Sequence, residues 1–154
     1  MKALVIYESF FHNTEDIARA VGEGLGAKVV SFEDCPSADL QGLDLLVIGS
    51  PTQRFGPTDE IQRYITALPA NITRGLPVAV FDTHLDGNAL RNWFIRRIVQ
   101  AGGYAAPRLQ KMLMRAGAAP VCAPEGFLVM GQEGPLKEGE LDRARAWGAS
   151  LVNS

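Results

Sequence analysis

Basic clusters, long apolar runs and metal-ligand spacings are all missing from this chain of 154 residues. Lys and Arg number 15 against 17 Asp and Glu, and the net charge of −2 gives no reason to expect nucleic acid as a partner. No apolar run approaches the roughly 20 residues of a membrane-spanning helix, so no membrane partner is expected. The N-terminus enters an apolar strand directly, without a signal-peptide pattern, and a cytoplasmic location is the expectation. The two cysteines, Cys35 and Cys122, lie far apart in sequence, and the only imidazoles are His12 and His84. That supply argues against a zinc site and leaves both cysteines as reduced structural residues.

What is present is alternation. Strands are expected at Lys2–Tyr7, Lys28–Phe32, Leu43–Gly49, Val78–Asp82, and from Val121 to Met130 with an interruption. Helices are expected at Thr14–Leu25, Pro57–Leu68, Tyr104–Ala116 and Leu136–Val152. Nearly continuous apolar strands such as Leu45-Leu46-Val47-Ile48 belong to a sheet covered on both faces. Strand–helix alternation then implies an α/β fold, a doubly wound five-stranded parallel sheet with helices on both faces, and the length fits a single domain over residues 1–154. One connection breaks the rhythm, because the stretch from Thr83 to Gly103 far exceeds the two to six residues or so of an ordinary loop. Within it Leu90, Trp93, Phe94 and Ile98 share one helical face, so an extra short helix is expected over residues 88–101.

In such a sheet ligands bind beyond the carboxyl ends of the strands. Three segments should meet there. Glu8-Ser9-Phe10-Phe11-His12-Asn13-Thr14 joins the first strand to the first helix, where free N–H groups and the helix dipole favour an anion. Ser9, Asn13 and Thr14 add side-chain donors, which makes a phosphate cradle without lysine; as an ordinary strand-to-helix turn, the same stretch would use Thr14 as N-cap. Ser50-Pro51-Thr52-Gln53-Arg54-Phe55-Gly56 follows the third strand, and Thr83-His84 the fourth. Phe55 and Trp93, then Phe94 and Tyr104, are the candidates to stack on a planar ring. Asp82 reads as a cap or turn former, His84 as a surface residue close to the expected ring, and Arg54 as a solvated cation. Gly22-Glu23-Gly24-Leu25-Gly26 ends a helix and is a stop signal, not a dinucleotide loop.

Tyr-Glu-Ser-x-x-x-Asn-Thr-x-x-Ile-Ala at residues 7–18, Val47-Ile48-Gly49-Ser50-Pro51-Thr52 with Gly56-Pro57, and Phe81-Asp82-Thr83 together resemble the loops of the flavodoxin family, in its short-chain form. The resemblance covers the chain except around residues 85–101. It implies strand order 2-1-3-4-5 and bound FMN. The amides of Phe10 to Thr14, including those of Phe11, His12 and Asn13, and the hydroxyls of Ser9 and Thr14 would hold the 5′-phosphate. Loop 50–56 and the loop from Thr83 would clasp the isoalloxazine, and Gly56 would permit close backbone approach.

This loop departs from the family pattern at His12, where glycine is usual, and at Phe11, where a small hydroxyl residue is frequent. Histidine tolerates positive φ better than most residues. Two outcomes are open: His12 accepts that conformation, and could face the phosphate as a cation, or Phe10, Phe11 and His12 crowd the pocket. The near-neutral charge also departs from the strongly acidic family pattern and favours a dedicated redox partner protein, a small oxidant or a homodimer. The leading functional expectation is an FMN-binding electron-transfer protein. The alternatives are an FMN-dependent oxidoreductase acting on a quinone- or tetrapyrrole-type substrate, and a protein-interaction module that has lost the flavin. A receiver domain is set aside because the third strand ends Gly49-Ser50-Pro51 rather than in aspartate.

Overall fold

The computed structural model describes residues 1–53, 56–86 and 104–154. Six strands are described: β1 Ala3–Tyr7, β2 Lys28–Ser31, β3 Leu45–Pro51, β4 Pro77–Leu85, β5 Ala119–Pro120 and β6 Glu125–Val129. The helices are α1 Asn13–Leu25, α2 Asp59–Thr66, α3 Ala70–Thr73, α4 Ala105–Arg115 and α5 Glu140–Ser150, with short 3-10 turns at Phe32–Asp34, Ser37–Leu40 and Leu151–Asn153. The strands run in the order β2-β1-β3-β4-β5, the order implied by the flavodoxin resemblance, and all are parallel, as the alternation implies. β6 also pairs with β4, taking Phe81 to Leu85 where β5 takes Pro77 and Val78. The fifth position is thus filled by two consecutive pieces. The expected strand from Val121 to Met130 is corrected accordingly: its first part is the link between them, and Ala119 and Pro120 form the other piece.

Hydrophobic residues on alternate sides of the strands build two cores. One face carries Ile6, Ile48, Val78 and Val80 against Ile61 and Ile65 of α2 and Ala106, Leu109 and Leu113 of α4. The other carries Val5, Val47, Ala79, Phe81 and Phe127 against Ile17, Ala18 and Val21 of α1 and Ala144 of α5. Phe81, Phe127 and Trp147 meet edge to face at centroid separations of 5.8 to 6.1 Å, a favoured arrangement of ring quadrupoles. α1 and α5 touch backbone to backbone, since a Cβ on Gly24 would strike the Arg145 carbonyl and one on Gly148 the Val21 carbonyl.

Local chemistry moves several boundaries. Thr58 caps α2, its hydroxyl accepting from the Ile61 N–H at 3.3 Å, so Pro57 stays outside the helix. The helix expected from Leu136 starts at Glu140. Before it, Leu136 bridges Val129 antiparallel and the Lys137 N–H donates to Leu128 O, while Gly139 turns the chain with φ 87°. β4 runs on through Thr83, His84 and Leu85, because β6 supplies partners as far as Val129. The helix expected over residues 88–101 lies outside the described residues.

Candidate functional site

The carboxyl ends of β1, β3, β4 and β6 surround a cavity of about 440 Å³. The β1–α1 loop contributes Ser9, Phe10, Phe11, Asn13 and Thr14; the end of β3 and its loop contribute Pro51, Thr52 and Gln53; β4 contributes Thr83, His84 and Leu85. These come from all three expected segments. Val129 and Gln132 complete the wall, and both were missed. The signal for them was topological: the strand beside β4 must also deliver its carboxyl end to this edge. No Lys or Arg is among the described lining residues. The donors here are amides and hydroxyls.

At the loop end, α1 begins at Asn13 and its N-cap is His12, not Thr14. The N–H groups of the first helical turn have no acceptor within the helix. Ser9 Oγ is buried and meets no hydrogen-bond partner among the described residues. A buried hydroxyl without a partner costs about 1–3 kcal/mol, a cost that an acceptor from outside the chain would remove. Thr14 Oγ1 and Thr83 Oγ1 share a hydrogen bond of 2.7 Å, which ties the loop to β4. His12 takes φ 66°, and its ring turns outward to Glu15, 3.1 Å from Nδ1 to Oε2, with its side chain 83% exposed. It therefore neither crowds the cavity nor faces its contents; its backbone amide is what stays available. Phe10 and Phe11 line the mouth, half exposed.

At the other end, the Thr52 N–H donates to Thr83 O at 2.8 Å, and Thr52 Oγ1 accepts from the Ala105 N–H at 3.0 Å. Asp82, fully buried, accepts from the Ala106 N–H at Oδ2 (2.8 Å) and from His84 Nδ1–H at Oδ1 (2.5 Å). Asp82 is thus a cap, as expected, though of a helix well downstream in the chain. His84 is the correction. Expected at the surface, it is largely buried, because β4 continues through it and Tyr104 stacks on its ring at 3.7 Å and 11°. Burial, followed by the charges of Asp82 and Asp86, pushes the Tyr104 hydroxyl above its ordinary range.

Ser50 is buried and turned away from the cavity, its hydroxyl donating to Pro51 O at 3.0 Å. Gly56 closes a tight turn on Gln53 through paired backbone bonds of 2.8 and 2.9 Å, and Arg108 packs where a Cβ would stand. Arg54, Phe55 and Trp93 lie outside the described residues. A further carboxylate, Glu8, sits buried behind the loop and accepts from the Thr58 hydroxyl. Burial pushes its carboxyl upward, the Thr58 bond pulls it down, and Glu60 and Glu33 add to the rise.

No family model matches the sequence, and no curated protein does either. Solved structures do match. A flavodoxin from the domain Archaea superposes with TM-score 0.76 at 18% identity, covering 99% of this chain and 97% of the other. Oxidised Flavodoxin 1 from Bacillus cereus gives TM-score 0.74 at 18% identity, with coverage of 99% and 98%. The flavodiiron protein from Giardia intestinalis gives 0.73 at 16% identity; there the chain spans 35% of the longer protein. The chain has the flavodoxin-like fold. At these identities the likeness is one of fold.

Proposed function

We propose that this chain binds FMN in the cavity at the carboxyl edge of its sheet and serves as an electron-transfer protein, passing electrons to or from a dedicated partner protein or a small oxidant. The observation that carries the reading is Ser9 Oγ, a buried donor without an acceptor among the described residues, in the cavity-lining loop that leads into α1. A 5′-phosphate supplies the missing acceptor there and is favoured by the dipole of α1. The backbone of His12 supports the reading, because it adopts the left-handed conformation at the position where the resembled family usually has glycine.

FMN would bring one- and two-electron redox chemistry to the site. The chain's own residues do the rest. Ser9, the loop amides and Thr14 hold the anion; Pro51, Thr52 and Gln53 border the ring end; Thr83 braces the loop against β4. The exposed Phe10 and Phe11 give an apolar rim where a partner can approach.

The test is a fluorescence-quenching titration of the apo-protein with FMN, with riboflavin as control. The expected result is saturable one-to-one binding of FMN, with riboflavin weaker by a factor on the order of 100 or more, about 3 kcal/mol for the charge-assisted bonds to phosphate. Equal affinities for the two would refute the phosphate cradle. Steady-state turnover of NAD(P)H with a quinone by the loaded protein would overturn the carrier role in favour of an enzyme.

A further inference from the structure

His84 is held on three sides. Asp82 takes its Nδ1–H at 2.5 Å, Tyr104 covers one ring face at 3.7 Å, and β6 passes its edge through Gly126. A Cβ at Gly126 would stand 2.5 Å from His84 Cε1 and 3.3 Å from Nδ1 and from Asp82 Oδ1, so only glycine leaves room for this ring. Asp82 also accepts from the Ala106 N–H, which makes it an acceptor at both oxygens and puts the imidazole proton on Nδ1. Nε2 has no hydrogen-bond partner among the described residues, and His84 lines the cavity. A histidine needed only to neutralise Asp82 would not have to border the cavity or be fixed in tautomer and plane.

We infer that His84 is the group through which this cavity takes up a proton together with its ligand, presenting Nε2–H to an acceptor atom at the ring end of a bound flavin. The inference rests on the FMN reading above. Neutral imidazole offers a lone pair at Nε2, whereas imidazolium offers a second N–H. The polar rim of an oxidised isoalloxazine is mostly carbonyl oxygens and bare ring nitrogens, so it prefers the donor. The proton comes from solvent and stays on Nε2. By linkage, flavin raises the proton affinity of His84 and protonation raises the affinity for flavin by the same factor. Around His84 stand Asp82 of β4 and Tyr104 at the start of α4, with Asp86 just past the end of β4 paired to Lys137 at 2.9 Å; Glu125, next to Gly126 on β6, is directed to the other face of the sheet, where it pairs with Arg143 at 2.9 Å.

The experiment measures the FMN dissociation constant between about pH 5.5 and 8.5, the imidazole range, for the wild type, His84→Gln and His84→Asn, each checked for a cooperative melt. The flavin phosphate, which ionises near pH 6, and His12 remain in all three proteins and cancel in the comparison. The same pH series follows the His84 ring by NMR in wild-type protein with and without FMN, and needs no variant. Wild-type affinity is expected to fall with rising pH about tenfold further than either variant's, and the ring's titration midpoint to move upward when FMN binds. Parallel profiles, or a midpoint that stays or falls, would overturn the inference and leave FMN binding intact. Absence of saturable FMN binding at every pH would overturn the proposed function, and this inference with it.

Discussion

Ser9 and His12 share one loop, yet only substitution of Ser9 should weaken FMN binding. Ser9→Ala removes a buried donor that the apo-protein leaves unpaired. The apo-protein should gain about 1 kcal/mol in urea unfolding, while FMN affinity drops about tenfold. A loss of both would mean that Ser9 has a structural partner. His12→Gly relieves a left-handed backbone that costs a non-glycine residue roughly 1 kcal/mol, more than its exposed contact with Glu15 returns. Its unfolding midpoint should therefore rise, with FMN affinity within about twofold of wild type because the ring points away. Glu8 gives the pH dependence. Its carboxyl is raised by burial, so the folded state holds that proton more tightly than the unfolded chain. Its contribution to stability is present at low pH and is lost as pH rises from the ordinary carboxylate range through the raised value. Glu8→Gln keeps an acceptor for Thr58 and abolishes this loss. Thermal melts should place Glu8→Gln above wild type near pH 7 and level with it near pH 3, below the ordinary carboxylate range, where Glu8 is protonated in both states.

Among the elements, α1 and α5 meet so closely at Gly24 and Gly148 that a single added methyl group matters. Alanine at an ordinary helix position is worth about 1 kcal/mol over glycine. At Gly148 the new methyl would meet the Val21 carbonyl, and overpacking of that kind costs about 1–3 kcal/mol. Gly148→Ala should thus lower the melting temperature in spite of its better helix propensity; an unchanged or higher value would show that the two helices can slide apart freely. This glycine contact was not legible in sequence, where Gly24 reads only as part of a helix end. Periodicity does reveal that α1, α2, α4 and α5 exist, because each buries one stripe. It does not place their first residues. Those depend on Thr58 capping α2 and on Leu136 pairing with Val129, contacts that bring together local turn chemistry and distant backbone. His84 belongs to the same class: its burial follows from the register of β6 along β4, which no local pattern encodes.

At the scale of the molecule, the parallel doubly wound sheet and the meeting of three loops at one edge were readable from alternation, while the order 2-1-3-4-5 came only with the flavodoxin resemblance of residues 7–18, 47–57 and 81–83. The remainder of the site was not, because Val129 and Gln132 arrive through a strand split into two pieces. Among the described residues, no helix is long and apolar enough to cross a membrane. Between β1 and α1 the buried, unpaired Ser9 hydroxyl lies next to the open first turn of α1, and in the proposed function a phosphate-bearing flavin occupies that point. The most direct test is the amide NMR spectrum of the labelled protein before and after one equivalent of FMN. Large shifts are expected at the amides of Ser9 to Thr14 and at Thr52 and Thr83, with riboflavin leaving the first group nearly unmoved. Shifts confined to other surfaces, or none at all, would contradict it.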